Sequence, residues 1–252
     1  MPSHRFHLPA AEWSEGALTL RGDEAHHCAS VMRCAVGDRV VIFDGQGQEA
    51  GGSIESASNA EVVVSVRTRE LTPRPPAALT LCQSVPKGKN MDLIVQKATE
   101  LGVSRIVPLL SDRTVVRLEG AELEKKRAKW QRVALEACKQ CGQNWLPEVA
   151  APVSVGDFLR GEGADSGEAE LRLVAAIDDR ARSLKEILAD NGDEADVATA
   201  ASIMIGPEGD FTPAELDAAM NAGFRPMSLG PIVLRSETAA IYSLSVLVHE
   251  LM

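Results

Sequence analysis

The rhythm of hydrophobic and polar positions changes near residue 72. Before that point, short apolar runs are separated by glycine and aspartate turns such as Val36-Gly37-Asp38, a pattern typical of sheet-forming segments. One helix-like stretch, 23–33, interrupts these runs. We therefore predict a small β-barrel with strands at 5–8, 18–21, 39–43, 52–55 and 61–66.

Residues 72–76, Thr-Pro-Arg-Pro-Pro, follow as a connector. Proline fixes φ and lacks a backbone donor, so this segment is predicted to be stiff and extended. We place the boundary between two domains, 1–72 and 77–252, at this connector.

Beyond the connector, apolar strands alternate with helices, which is typical of an α/β fold with a parallel sheet covered on both faces. The acidic stretches 161–170 and 190–196 are predicted to be surface loops. Strands are predicted at 79–83, 105–110, 171–177, 202–206 and 226–229, and helices at 91–101, 121–141, 184–189, 213–222 and 237–251.

The sharpest local signal follows the strand predicted at 202–206. Thr212, Pro213 and Glu215 form a capping box with proline at the first helical position, which predicts a helix start. Residues 206–211, Gly-Pro-Glu-Gly-Asp-Phe, are thereby confined to a tight loop at the carboxyl end of a strand. A second loop, 230–231, follows the next strand. Ligands of open α/β sheets bind at such loops.

Composition narrows the class of protein. The 252 residues are 45% hydrophobic and 25% charged, which is too apolar for a disordered chain. No apolar run approaches the roughly 20 residues that cross a bilayer, and the first residues lack the apolar stretch of a signal peptide. The five cysteines are scattered and odd in number, unlike a disulfide scaffold. These features predict a cytoplasmic protein without a membrane partner.

The net charge of -10 argues at first against a nucleic-acid partner, but residues 84–146 carry 12 basic and 7 acidic side chains. This basic segment is a candidate footprint for RNA phosphates. Its candidate contacts are Lys125, Lys126 and Lys129 on one predicted helix, with Arg113 and Arg117 in flanking loops. Charge alone favours the alternative of a solvated helix face, balanced by Glu119, Glu122 and Glu124.

Two motifs resemble metal or redox sites without completing them. Cys138 and Cys141 stand three apart within a predicted helix and lack a second pair, so core or surface cysteines are the favoured interpretation. His26, His27 and Cys28 are adjacent on a helix and point in different directions, which favours a structural or RNA-contacting role. We predict no metal.

The residues of the two loops carry a family resemblance. The segments 206–209 (Gly-Pro-Glu-Gly), 211–212, 229–230 and 234–239 (Leu-Arg-Ser-Glu-Thr-Ala) resemble the RsmE family of ribosomal RNA uridine-N3 methyltransferases, within the SPOUT superfamily. The resemblance extends over the chain, through 26–33, 43–45, 97–103, Trp130 and 140–142.

The resemblance implies a fold and an activity. It implies a PUA-like RNA-binding barrel followed by a SPOUT-type α/β domain with a deep trefoil knot, and a homodimer with its active site near the subunit interface. The implied reaction is transfer of a methyl group from S-adenosylmethionine to N3 of a uridine in 16S ribosomal RNA, free or within the small subunit. A non-catalytic RNA-binding factor and a methyltransferase of another RNA remain as alternatives.

The resemblance also implies roles for single residues. Arg235 would stabilise negative charge on the uridine or hold a phosphate, and Glu237 or Glu208 would orient Arg235 or assist proton removal. Both glutamates could instead stabilise helix starts through the helix dipole. Backbone groups for the cofactor are expected at Gly206, Leu229, Gly230, Ile232 and Leu234.

The chain departs from the family pattern at three positions. Asp210 replaces the second glycine of a Gly-Pro-Glu-Gly-Gly motif and adds negative charge beside the cofactor loop. Ile232 stands where a basic residue is common, and Gln143 stands in place of arginine. The cofactor loops stay recognisable, whereas the RNA contacts are the part that these changes affect.

Overall fold

The computed structural model describes residues 4–116, 118–161, 170–190 and 198–252. The chain forms two compact units, one of residues 1–74 with 135–146 and one of residues 75–134 with 147–252. Apart from residues 161, 170 and 190, the loops predicted at 161–170 and 190–196 lie outside the described residues. In the described part, no helix combines the length and the apolar character needed to span a bilayer.

The first unit is built on a five-stranded sheet with strand order β1-β3-β4-β5-β2. All its pairs are antiparallel except β1 with β3. The predicted strands are confirmed, and β4 and β5 extend beyond the predicted ends. The strands are β1 His4–His7, β2 Ala17–Arg21, β3 Arg39–Phe43, β4 Gln48–Ala57 and β5 Glu61–Leu71.

The helix predicted at 23–33 is shorter and irregular. It consists of α1, Gly22–His26, continued by a π-helical turn at His27–Val31. A 3-10 turn at Ala10–Glu12 was not predicted. Alternate apolar side chains of the strands point to one face and form the core of this unit, with Phe6, Leu18, Leu20 and Ile42 fully buried.

The second unit has a sheet of order β12-β10-β11-β6-β7-β8, with β9 also paired to β7, and every pair is parallel. Its strands are β6 Ala78–Ser84, β7 Arg105–Leu110, β8 Glu148–Val149, β9 Val153–Ser154, β10 Glu170–Ala175, β11 Ala200–Ile205 and β12 Arg225–Met227. Its helices are α2 Asn90–Glu100, α3 Ala121–Cys141, α4 Val155–Arg160, α5 Leu184–Ala189, α6 Pro213–Asn221 and α7 Ser236–Leu251. The last turns of α3, from Leu135, are counted with the first unit.

The predicted alternation of strands and helices is confirmed, and α3 and α5 have the predicted bounds. The elements β8, β9 and α4 were not predicted. The central strand β11 is buried along almost its whole length, as expected for a parallel strand covered on both faces. This burial holds the carboxyl end of β11 in place, and the loop at 206–211 starts from that end.

Candidate functional site

A cavity of about 310 Å³ lies at the carboxyl ends of β10, β11 and β12. Because β10 lies between β11 and β12 in the sheet, the loops that follow these three strands meet at one edge. The cavity is lined from loops 175–179, 205–210 and 228–234 and from the start of α7. All five residues predicted to hold the cofactor line this cavity: Gly206, Leu229, Gly230, Ile232 and Leu234.

Two of these residues need to be glycine for different physical reasons. A Cβ atom at Gly206 would come within 2.9 Å of Asp210 Oδ1 and 3.2 Å of the Phe211 amide nitrogen, so no side chain fits there. Gly230 has φ of 114°, a conformation that side chains disfavour, and a Cβ there would meet open space. At these two positions the cavity wall is therefore formed by backbone atoms.

Asp210 joins two of the loops. Its φ is 61°, in the left-handed region that aspartate tolerates better than most residues. Its Oδ1 accepts a hydrogen bond from its neighbour's amide, Phe211 N, at 2.7 Å, and its Oδ2 accepts one from Ile177 N at 3.2 Å. Asp210, one of the three departures from the family pattern, thus links the loop after β11 to the loop after β10.

A buried hydrogen-bond chain lies beneath the same loop. Gln83 Nε2 donates to Ser236 Oγ at 2.9 Å, and Ser236 Oγ donates to the carbonyl oxygen of Gly206 at 2.8 Å. Both side chains are buried. The chain connects the end of β6, the end of β11 and the first residue of α7, so it fixes the start of α7 against the cavity loop.

The cavity lining combines apolar side chains with carboxylates. Ile205, Leu234 and Ala239 supply apolar surface, and the acidic residues are Asp178, Asp179, Glu208 and Asp210. Hydrogen bonds from Arg180 lower the pKa of Asp178 to about 2. Asp178 therefore carries its negative charge throughout the neutral range.

The structure brings only one of the three predicted catalytic side chains to the lining. Glu208 lines the cavity, and its Oε1 accepts a hydrogen bond from Lys87 N at 3.0 Å. Arg235 is the N-cap residue of α7, one position before the buried Ser236, and its side chain is exposed. Glu237 lies in the first turn of α7, where a carboxylate also stabilises the helix dipole.

The predicted RNA contacts have different surroundings. Lys129 is paired with Asp92 at 2.7 Å, and Lys126 Nζ lies 6.0 Å from the centre of the Trp130 ring. Lys125 is exposed on the same helix.

The structure adds little about RNA contact by the two arginines predicted in the flanking loops. Arg113 Nη1 donates to the carbonyl oxygen of Gly209 at 2.6 Å, so this side chain supports the cavity loop. Arg117 lies outside the described residues. The RNA contacts stay a prediction.

Sequence reasoning missed the loop after β10, residues 175–179, and Ser236 as parts of the lining. The apolar run of β10 followed by Asp178 and Asp179 was visible in the sequence. The strand order that places β10 beside β11 was not, because parallel neighbours need not be consecutive in the chain. Ser236 was visible only as part of the family motif.

A second polar cluster lies in the first unit. Glu24, His27 and Glu136 offer ligand atoms within 4.8 Å of one another. However, Lys139 Nζ, on a nearly buried side chain, donates to both Glu24 and Glu136. The ammonium already neutralises these carboxylates, which makes the cluster a poor site for a metal cation. Burial raises the pKa of the nearby Cys138 thiol to about 12, so this cysteine is not a thiolate ligand at neutral pH.

Comparisons with known proteins show the family to which the chain is similar. The family model described as an RNA methyltransferase domain matches residues 73–248, and that of an RNA methyltransferase PUA domain matches residues 20–66. Ribosomal RNA small subunit methyltransferase E of Bacillus subtilis is 31% identical over 241 residues, 92% of this chain and 90% of that protein. The Mycobacterium bovis protein of the same name is 32% identical, over 95% of this chain and 88% of its own length.

Two solved structures share the fold of the whole chain. A protein of Legionella pneumophila, in complex with the bound cofactor SAM, has a TM-score of 0.86 and 32% identity, over 98% of this chain and 97% of that one. The ribosomal RNA small subunit methyltransferase E of Neisseria gonorrhoeae, bound to S-adenosyl methionine, has a TM-score of 0.83 and 29% identity, over 97% and 96%. With its PUA-like first unit and parallel-sheet second unit, this chain belongs to the RsmE family of RNA methyltransferases.

Proposed function

We propose that this chain transfers the methyl group of S-adenosylmethionine to N3 of a uridine in 16S ribosomal RNA, with the cofactor in the cavity at the ends of β10, β11 and β12. The observation that carries the proposal is that the five residues expected to hold the cofactor surround this one cavity. Relatives of the same family have been solved with this cofactor bound.

The residues present fit the cofactor chemically. Without a side chain at Gly206 and Gly230, the backbone can approach a flat base closely, and the apolar side chains offer a surface for an adenine ring. The cavity volume of about 310 Å³ is within the range of small-molecule sites. The lining carboxylates suit a ligand that carries an ammonium and a sulfonium.

S-adenosylmethionine supplies an activated methyl group, so the protein's task is to position the uridine and remove the N3 proton. Glu208, one of the carboxylates on the cavity lining, would accept that proton. Arg235, exposed beside the cavity loop, would stabilise negative charge on the uridine ring through its guanidinium. Glu237, in the first turn of α7, would orient Arg235.

The family resemblance further supports a trefoil knot in the second unit, a homodimer, and action in the cytoplasm where ribosomal RNA is modified. One feature of the second unit favours the dimer. The helices α2 and α7 pack against each other and leave Leu93 41% and Tyr242 48% exposed. Light scattering after size-exclusion chromatography would give the mass in solution, and a monomer at micromolar concentration would contradict the dimer.

The test of the reaction uses purified protein, labelled S-adenosylmethionine and ribosomal RNA from a strain that lacks the gene. Nucleoside mass spectrometry should show N3-methyluridine formed in 16S RNA, with free RNA and assembled small subunits compared in parallel. A methylated nucleoside other than N3-methyluridine would overturn the proposed position. Cofactor binding without methylation of either substrate would favour the non-catalytic RNA-binding factor.

A further inference from the structure

The acidic side chains of the cavity are not balanced by cations on its lining. Among the described lining residues there is no lysine, arginine or histidine. Asp178 is compensated, because Arg180 donates to both of its oxygens at 2.8 and 3.0 Å. The remaining three carboxylates are Asp179, Glu208 and Asp210.

The partners of these three carboxylates do not neutralise them. Glu208 and Asp210 accept hydrogen bonds from backbone amides. In the described ranges, no cationic side chain forms an ion pair with Asp179, Glu208 or Asp210. The guanidinium of Arg113 donates to the carbonyl oxygens of Gly209 and Phe211. The cavity therefore has a net negative field.

Asp210 contributes to this field more effectively than the other two. Its side chain is half-buried, whereas Asp179 and Glu208 are exposed, and exposed charges are screened by water and salt. Its two backbone hydrogen bonds also hold the carboxylate in one place. Glycine is the common residue at this position in the family pattern, so the negative charge is a departure from that pattern.

Methyl transfer changes the charge of the cofactor. The bond between sulfur and the methyl carbon breaks, its electron pair stays on sulfur, and the methyl group bonds to N3 as the N3 proton leaves. S-adenosylmethionine carries a sulfonium, an ammonium and a carboxylate, and so has a net charge of about +1 at neutral pH, from the ordinary pKa values of these groups. The product, S-adenosylhomocysteine, keeps the last two groups and is neutral overall.

We propose that the acidic lining, with Asp210 as its main contributor, selects the methylated cofactor over the demethylated product by charge. The inference rests on the proposed cofactor site and adds to it a cause for product release, because the attraction falls when the sulfonium is lost. Two unit charges about 8 Å apart change an affinity by roughly 3- to 6-fold at effective dielectric constants of about 40 to 60.

The experiment compares binding of the two ligands by isothermal titration calorimetry, with no RNA present. Asp210→Asn suits the test because asparagine also tolerates a φ of 61°. Its single carbonyl oxygen can accept only one of the two backbone hydrogen bonds, from Phe211 N or from Ile177 N. Because the loss of the other bond affects both ligands alike, the difference between the two ligands reports the charge. We expect Asp210→Asn to weaken S-adenosylmethionine binding about 3- to 6-fold more than it weakens S-adenosylhomocysteine binding. The preference of the wild-type protein for S-adenosylmethionine should also shrink as salt is raised.

Two controls separate charge from shape. Glu250→Gln removes one exposed negative charge near the far end of α7, roughly 20 Å along the helix from Ser236 by its rise per residue, and should leave both affinities unchanged. A sulfur-free analogue with a protonated amine in place of the methylsulfonium should lose affinity in Asp210→Asn as S-adenosylmethionine does. If Asp210→Asn does not fold, as judged by thermal unfolding, the exposed Asp179→Asn should show a smaller change of the same sign.

The outcomes distinguish this inference from the proposed site. Equal weakening of both ligands, or unchanged affinities in both aspartate variants, would overturn selection by charge while leaving the cofactor site in place. Failure of the wild-type protein to bind either ligand would overturn the cofactor site itself.

Discussion

The hydroxyl of Ser236 donates a hydrogen bond to the carbonyl oxygen of Gly206 at 2.8 Å, although 30 residues separate them in the chain. Ser236 begins α7, and Gly206 directly follows the strand β11. The bond therefore ties the helix that follows Arg235 to the loop that lines the cavity.

We expect Ser236→Ala to weaken cofactor binding and to lower the free energy of unfolding. The change leaves the Gly206 carbonyl oxygen without this partner, and an unsatisfied buried group costs about 1 to 3 kcal/mol. Ser236→Thr keeps a hydroxyl and should retain more of the affinity. Calorimetry and denaturant unfolding measure the two effects, and wild-type affinity in a folded Ser236→Ala protein would contradict the role in positioning the loop.

A side chain at Gly230 should obstruct the cofactor. Gly230→Ala adds a methyl group to a residue of the cavity lining and also strains a φ of 114°. Gly223, after α6, has a φ of 87° with open space around it and is not part of the lining. Gly223→Ala thus controls for strain alone. We expect both variants to lose stability, and only Gly230→Ala, and more strongly Gly230→Val, to lose affinity for S-adenosylmethionine.

The glycine and proline loops were readable from the sequence because their turn chemistry is local. The capping box at Thr212 and Glu215 is present as predicted, with hydrogen bonds in both directions, since capping involves residues three positions apart. The contact of Asp210 with Ile177 and that of Gln83 with Ser236 were not readable. Each depends on which strands become neighbours in the sheet, and periodicity carries no information about strand order.

The basic face of α3 should contribute to RNA affinity unequally. Lys129 is already paired with Asp92, whereas Lys125 is exposed and, in the described residues, forms no ion pair. Replacing Lys125 and Lys126 together with glutamine should therefore reduce the free energy of RNA binding by more than twice as much as Lys129→Gln. The slope of log affinity against log salt should flatten by about 0.7 for each phosphate of single-stranded RNA that the protein no longer neutralises.

The control for this series is Lys185→Gln, which removes an exposed positive charge from α5 of the same unit. Filter binding across a salt series would compare the variants. If Lys185→Gln lowers the free energy of RNA binding by half as much as the double variant, in proportion to the one and two charges removed, net charge and not this helix face sets the RNA affinity.

The first unit should lose stability as the pH falls below neutrality, because of His7. Burial lowers the pKa of His7 below its ordinary value of 6.5, and Nε2 lies 3.3 Å from the carbonyl oxygen of Asp44. Between the unfolded and the folded pKa, the unfolded chain binds a proton that the folded chain does not, so the free energy of unfolding decreases as the pH falls. Below the folded pKa of His7 both states bind the proton, so His7 no longer changes the free energy of unfolding as the pH falls further.

Replacing His7 by asparagine should flatten this part of the pH profile. The measurement is the denaturant midpoint of unfolding, followed with a probe of the first unit. It is taken from about pH 7.5 to about pH 5, a range that spans the ordinary histidine pKa. Because carboxylates titrate at the lower end of this range, the comparison is between the slopes of the two proteins. The same slope in His7→Asn as in the wild type would assign the pH dependence to other residues.

Arg235 is the remaining candidate for charge stabilisation because of its place in the fold. It precedes Ser236, whose bond to Gly206 fixes the start of α7, so the backbone of Arg235 is held while its guanidinium stays exposed. A guanidinium is protonated at working pH, so Arg235 can stabilise an anionic uridine but is a poor base.

Arg235→Ala should therefore lower the methylation rate by about 10²- to 10³-fold, as for the loss of one preorganised donor. Arg235→Lys keeps the charge without the planar fork and should restore only part of the rate. Because the proposed role is toward RNA, cofactor affinity should change little in either variant, and single-turnover methylation at saturating cofactor would separate the rate from binding. A near-normal rate in Arg235→Ala would exclude Arg235 and leave Glu208, which lines the cavity, as a stronger candidate than Glu237.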